Sequence, residues 1–479
     1  VVERAESAPA DIVPGLLAAT LRQADTGCEV RSLALTRLAT LVRGLRGNDL
    51  VVAIERAPPA KNRQLAVGIA GRGFGGDLTS DSTRTDGYVL STDIAPTILK
   101  RFGIAVPSAM SGQPIRSEGA VDAEAIESLG ERMSVISERR GPVIGISLLV
   151  WLVLLGIALL VRGRVARVAV RVVGLSVIYL PLALLLGAAL EPGKGTEQLL
   201  VMLGAPLLAG LTLVALSGYR ALAVASGIVV LAYAVDVIAG SPLTSLSLLG
   251  PNPGLGVRFY GIGNELEALL GVLVVAGTGA GLAGFRPRLS PRGCATAFLA
   301  TGLFFALVFA AGRFGADVGA AIVLPVGAAV AAAAIAARSR RTALLVLAAP
   351  FAVLALIALA DLVSGANAHL TRSVLDAGGL GDLADVAQRR LQLSAHSFTR
   401  PVVLVFLPLI ALLAAFAVAR RDRLATLLEN FPAIRAGLLG ALAATVTGTL
   451  ANDSGALLLE IGAAYLLVFV SFAWSERTP

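Results

Sequence analysis

Cysteine is nearly missing from this chain of 479 residues, with Cys28 and Cys294 alone and far apart. No disulfide framework and no CxxC metal site can be built from them. Histidine is as scarce: His369 and His396 are the only two, which excludes a His-rich zinc site. Charged residues make up 15% of the chain and aromatics 5%, where an ordinary soluble domain has about a quarter charged. No P-loop occurs, and no nucleotide, no cofactor and no metal are expected. No signal peptide and no initiator methionine precede Val1-Val2-Glu3-Arg4, so the start reads as truncated or processed. What fills the chain is apolar: 56% hydrophobic, mean hydropathy +0.81. That balance excludes a soluble enzyme and a disordered chain, and points to a membrane protein.

The charges divide the chain in two. Residues 1–141 hold 17 basic and 17 acidic side chains, whereas residues 142–479 hold 23 basic and 15 acidic ones and so carry the whole net charge of +8. A soluble part is therefore expected first and a membrane part after it. Apolar runs long enough to span a hydrocarbon core begin with Val143–Val161. They continue at about 172–190, 199–217, 221–240, 264–283, 295–312, 318–337, 342–361, 401–419, 434–450 and 456–473, eleven in all. Alternate connections then carry 16 basic residues against three acids, among them Arg162, Arg164, Arg167, Arg171, Arg220 and Arg420; the other side and its membrane-edge positions carry 7 basic and 12 acidic residues. The positive-inside rule makes the arginine-rich side cytoplasmic. The expectation is an α-helical polytopic membrane protein of about 11 transmembrane helices, in a bacterial plasma membrane, with the N-terminal part outside and the C-terminus inside. A pI near 10 would otherwise suggest nucleic acid, but the arginines follow topology and no nucleic-acid partner is expected.

Residues 1–115 read as an α/β extracytoplasmic domain. Residues 11–24 and 31–45 have amphipathic helical spacing, while 49–55 and Gln64–Ile69 read as buried strands. Alternation of the two suggests an α/β sandwich. Residues 116–141 are acidic and form a linker or juxtamembrane helix ending in Arg139-Arg140; residues 142–479 are the membrane domain. Within the first part the most specific stretch is Ser80-Asp81-Ser82-Thr83-Arg84, then Thr92-Asp93-Ile94-Ala95-Pro96-Thr97-Ile98-Leu99, then Gly103-Ile104-Ala105-Val106-Pro107. It resembles the C-terminal part of the alkaline phosphatase/sulfatase superfamily, over about 70 residues. That family's chemistry uses Asp and His metal ligands and a Ser, Thr or modified Cys nucleophile. Residues 1–141 contain no His at all, so the resemblance implies a degenerate, non-catalytic relative. Asp93 is expected to cap the helix Ile94–Phe102.

The connections on the other side of the membrane hold the unusual residues. Pro251 to Glu265 is rich in glycine and proline, which makes it a shaped loop ending where a span begins. Free N–H groups at that helix start, together with Arg258, would form an anion site suited to a phosphate or pyrophosphate. Tyr260 and Asn264 join it as binding candidates, and Glu265 as a base. The plainer alternative is that Asn264 caps the helix and Arg258 pairs with Glu265. Arg313 and Asp317 would share a face if their stretch is helical. The loop 362–400 holds His369, Arg372, Arg389, Arg390, His396 and Arg400, with Leu380–Ser394 as an amphipathic surface helix. Asn452 and Asp453 lie between the last two spans, and Glu460 lies inside the final one, where a carboxylate is a functional candidate.

Arg258, Gly261 and Asn264 opening one span, followed by Gly312, Arg313 and Gly315, resemble the O-antigen ligase/polymerase families over about 80 residues. The resemblance implies a metal-independent glycosyltransferase whose donor is a polyprenyl-pyrophosphate glycan. Asn452-Asp453 stand where those families carry an outer His, which leaves His369 and His396 as the imidazoles. On this reading Arg258, Tyr260, Asn264, Arg313, Asn452 and Asp453 bind substrate, and Glu265, Asp317 or His396 acts as the base. The partners implied are membrane lipids, a lipid-linked glycan and envelope proteins. Two other readings stand beside it. A transporter or flippase would use Asp236, Glu267 and Glu460 as a relay, although no inverted repeat of broken helices is visible. A non-catalytic envelope scaffold or sensor would use only the phosphatase-like part.

Overall fold

In the computed structural model, the described residues are 16–24, 26, 29, 31–55, 64–107, 109–255, 258–286, 288–336, 341, 344, 348, 351–353, 355–356, 388 and 391–476. They divide into two units. The first comprises residues up to Val135 together with Asn252–Phe259; the second comprises Ile136–Pro251 and Tyr260 onward.

In the first unit, α1 (Leu16–Gln23) and α2 (Leu35–Arg43) precede β1 (Leu50–Ile54) and β2 (Val67–Gly71). The β-branched Val51, Val52, Ile54, Val67 and Ile69 favour the extended chain. The two strands pair antiparallel, from Leu50 opposite Gly71 to Ile54 opposite Val67. A second ribbon pairs β3 (Asp77–Thr79) with β4 (Arg116–Glu118), also antiparallel. Between them lie a 3-10 turn (Ser91–Asp93) and α3 (Ile94–Arg101). The described strands thus make two separate two-stranded sheets. A small core joins Leu21, Leu99 and Met110. Within this unit Gly254 packs on the backbone of Met133, and the rings of Tyr88 and Phe259 approach at 6.2 Å.

The acidic segment expected as a linker or juxtamembrane helix is β4 followed by the first half of α4, which runs unbroken from Ala123 to Val161. The second unit is a bundle: α5 (Gly163–Leu190), α6 (Lys194–Ala215), α7 (Tyr219–Ile238), α8 (Asn264–Phe285), α9 (Pro291–Ala310), α10 (Ala320–Ala336), α11 (Pro401–Ala419), α12 (Arg421–Leu428), α13 (Pro432–Ala451) and α14 (Gly455–Ser475). Eight of its helices, α4 to α9 with α13 and α14, are long and apolar enough to cross a membrane. The pair α11 and α12, bent by 71°, would make a ninth if it is one span, and the apolar α10 has 17 residues. The expected span at 342–361 lies mostly outside the described residues. The chain is thus an α-helical multi-pass membrane protein.

α8 is the helix most enclosed by the others, packed by α7, α13, α14 and α10. Small residues let the backbones approach closely, as Gly279 does against Ala433 and Gly437, and Gly327 against Gly440. Two prolines inside spans each free a carbonyl four residues back. Pro181 frees Val177 O, which accepts from Tyr465 Oη at 3.1 Å; Pro206 frees Met202 O, which accepts from Trp151 Nε1 at 3.0 Å. A neighbouring aromatic donor replaces each lost bond, as hydrocarbon surroundings require.

Candidate functional site

Polar side chains of the second unit gather where α8 begins and α13 ends. The start of α8 follows from its glycines. Gly261 has φ +79°, and a Cβ there would lie 2.1 Å from Gly315 O, so the position admits only glycine. The close approach lets Ile262 N donate to Gly315 O at 2.9 Å, while Gly261 N donates to Ser241 Oγ at 2.8 Å. Gly263 takes the N-cap, so Asn264 is the first helical residue and does not cap the helix.

Asn264 and Glu267 are one turn apart on α8 and therefore neighbours on its surface. Glu267 is buried, at 2% exposure. Asn452, which terminates α13, donates through Nδ2 to Glu267 Oε2 at 2.7 Å and to Asn264 Oδ1 at 3.2 Å. Asn264 Nδ2 in turn donates to Asp453 Oδ1 at 3.1 Å. Carboxylate, amide, amide and carboxylate thus form a continuous chain from the buried Glu267 to the exposed Asp453. Gly319, just before α10, leaves room for it: a Cβ there would lie 2.4 Å from Glu267 Oε2.

Glu265 sits beside this chain and pairs with Arg140 on α4 at 3.4 Å; Arg140 also donates to Gly250 O at 2.6 Å. Its neighbour Arg139 pairs with the buried Glu197 at 3.0 Å and donates to Pro192 O at 2.9 Å. Arg313 and Asp317 are not on a helix. Residues 311–317 form turns, with Phe314 N and Ala316 N both donating to Ala311 O, so the expected helical pairing has no basis. Arg313 is exposed there and Asp317 is buried, on the same turn that binds Ile262. Tyr260 is half-buried at the start of the segment leading into α8. Residues 391–397 are helical and dock on the α13–α14 turn through two serines: Ser394 Oγ donates to Thr449 O at 2.6 Å, and Ala456 N donates to Ser397 Oγ at 3.0 Å. His396 is exposed on that helix. Arg258 is half-buried and belongs to the first unit. His369, Arg372, Arg389, Arg390 and most of Leu380–Ser394 lie outside the described residues.

Of the expected site residues, then, Asn264, Asn452 and Asp453 are bonded to one another. Sequence reasoning passed over Arg140 as the end of a linker and took Glu267 only as a relay. The one-turn spacing from Asn264 to Glu267 was the signal for the second; nothing local signals the first. Side-chain amides and carboxylates together donate and accept, which suits a hydroxyl-rich ligand, and an exposed arginine suits a phosphate.

The first unit holds a different carboxylate. Asp93 is fully buried but does not cap α3 with its side chain. Its oxygens accept instead from Ser80 Oγ at 2.7 Å, Ser82 Oγ at 2.6 Å, Leu90 N at 3.0 Å and Gln113 N at 2.8 Å. Four donors from three separate loops close on it, a stronger demand than one helix end makes. Thr83 Oγ1 donates to Tyr88 O at 2.7 Å, and Thr97 Oγ1 donates to Asp93 O at 2.6 Å while accepting from Ile115 N at 2.8 Å. The Ser and Thr hydroxyls of the motif are thereby engaged in loop closure. The chain matches no family model, no curated protein and no solved structure at a significant level.

Proposed function

We propose that this chain is an integral-membrane protein of cell-envelope glycan assembly that handles a polyprenyl-(pyro)phosphate-linked sugar and transfers it to an acceptor. The observation that carries the reading is the chain from Glu267 through Asn452 and Asn264 to Asp453. Asn264, Asn452 and Asp453 would hold sugar hydroxyls, and the exposed Arg313 the phosphate. In the transfer, an acceptor hydroxyl oxygen bonds to the anomeric carbon, the bond from that carbon to the phosphate oxygen breaks, and a carboxylate takes the hydroxyl proton. Glu265 is already engaged in an ion pair with Arg140 at 3.4 Å. That favours Asp317 for the proton, with His396 as the alternative. The full reading has eleven spans in a bacterial plasma membrane, residues 1–141 outside with 1–115 as an α/β domain, and the C-terminus inside.

A transporter reading has one observation in its favour. Glu460 lies within α14, and its Oε1 is enclosed with no hydrogen-bond partner among the described residues. The two readings part in an analysis of lipid-linked glycans from cells lacking the chain and from cells carrying Asn264→Ala. Transfer predicts that the lipid-linked donor accumulates on the outer leaflet while the polymer is missing. Accumulation confined to the cytoplasmic leaflet would favour transport, and normal glycans in both strains would overturn both.

A further inference from the structure

At the opposite end of the second unit from the Asn264 chain, a cavity of about 520 Å³ opens between α4, α5 and α6. Its walls are apolar, including Trp151, Leu154, Val168, Val172 and Pro206, and the single charged residue lining it is Arg164. Arg164 and Ser176 mark its two extremes along α5. Twelve residues of helix separate them, about 18 Å at the helical rise. That length is close to one leaflet of hydrocarbon, half of a core about 30 Å thick. A cavity this long and dry, with a cation at one extreme only, has the polarity of a lipid: one charged end and one hydrocarbon body.

The charge of Arg164 is left for such a ligand. Arg171, two turns further along α5, is held by Glu476 at 2.9 Å and by Ser475 O at 2.7 Å. Arg164 is exposed and makes no hydrogen bond or ion pair with any described residue. The floor is equally prepared. Pro206 would leave Met202 O unsatisfied facing hydrocarbon, and the indole N–H of Trp151 consumes it. The cavity wall therefore offers a chain no polar atom at that point, and the indole ring is fixed against it.

We propose that this groove seats one acyl chain of an anionic phospholipid, with the headgroup phosphate on Arg164. The chain carries two tryptophans, Trp151 in the groove and Trp474 on α14, so Trp474→Phe leaves the groove residue as sole reporter. The test uses the full-length protein in phosphatidylcholine nanodiscs doped with phosphatidylglycerol or phosphatidylcholine carrying brominated acyl chains, which quench tryptophan on contact. Brominated phosphatidylglycerol should reach half-maximal quenching at a mole fraction about five-fold lower than brominated phosphatidylcholine, the factor that one arginine near an anionic headgroup supplies. Arg164→Gln, at an exposed position, should remove that preference while leaving the quenching by phosphatidylcholine. Ala169→Phe, which fills the groove, should reduce quenching by both lipids. Equal quenching by the two lipids in the Trp474→Phe protein would overturn the proposal, as would a preference that survives Arg164→Gln or quenching that Ala169→Phe leaves intact.

Discussion

Asp93 and Glu267 are both buried carboxylates, yet they are held in opposite ways. Asp93 receives two hydroxyls and two backbone N–H groups, drawn from residues 80 to 113. Backbone donors cannot rotate away, so those bonds fix the loops and are fixed by them. Glu267 is bonded by the side-chain amide of Asn452, which is bonded in turn to Asn264, and that to the exposed Asp453. Amide side chains can turn to meet a ligand, and the end of this chain is open to solvent. The lesson concerns how to read a buried acid. One saturated by backbone belongs to the fold, and one reached through a string of rotatable polar side chains is a place to look for binding.

The largest effect expected from this contrast is on the first unit. Asp93→Ala would strand the N–H groups of Leu90 and Gln113 and two serine hydroxyls, a loss of about 3–5 kcal/mol at roughly one kcal/mol or more for each unmet donor. Thermal unfolding of the purified full-length protein would register it as the early melting of one transition. A variant that melts with the parent would show that the four bonds do not hold the loops. A smaller effect is expected at Gly319. Gly319→Ala would place a methyl group 2.4 Å from Glu267 Oε2 and push the carboxylate off Asn452. The cost should be about 1–2 kcal/mol, because a side-chain terminus can give where a backbone cannot. Melting of the helical transition measures it, and a shift as large as that of Asp93→Ala would erase the distinction between the two sites.

How much of this was legible in the residues depends on range. Hydropathy placed several helices well, though eight and not eleven of the described helices are long and apolar enough to span: Val143–Val161 falls within α4, and the expected starts near 264 and 456 are within a residue of α8 and α14. A span announces itself locally, through its own twenty residues. The shaped loop before Asn264 was equally plain from its glycines and prolines. Helical pairing of Arg313 with Asp317 was not, because Gly312 and Gly315 let the chain turn back on Phe309 and Ala311 instead. The role of Asp93 was mistaken for the same kind of reason. Its position just before α3 looks like a cap, but donors at Ser80 and Gln113 outbid the helix, and they arrive from loops distant in sequence. Arg140 is the extreme case, since its partners Gly250 and Glu265 lie more than a hundred residues away.

The smallest expected change in stability is also the one that separates the two carboxylates most sharply. Glu267→Gln keeps an oxygen for Asn452 Nδ2 and nearly the same volume, and it removes a charge from a site with 2% exposure. Loss of the desolvated charge offsets any weakening of the hydrogen bond, so the unfolding temperature should stay level or rise, a difference under about 1 kcal/mol. The polar chain to Asp453 nonetheless changes character. A carboxylate only accepts, and it therefore holds Asn452 Nδ2 toward itself; that Nδ2 also meets Asn264 Oδ1, which leaves Asn264 Nδ2 turned outward to Asp453. A glutamine can present its own N–H₂ and reverse that order. If the chain binds a hydroxyl-rich ligand, product formation should fall by tenfold or more while melting is unchanged, since one reversed bond in a buried network is worth about 1.4 kcal/mol or more. Asp93→Asn should behave in the reverse manner, with melting lowered and whatever is bound at Asn264 unaffected. A Glu267→Gln protein that unfolds early and forms product normally would assign this acid to the fold, alongside Asp93, and leave the polar chain without a ligand.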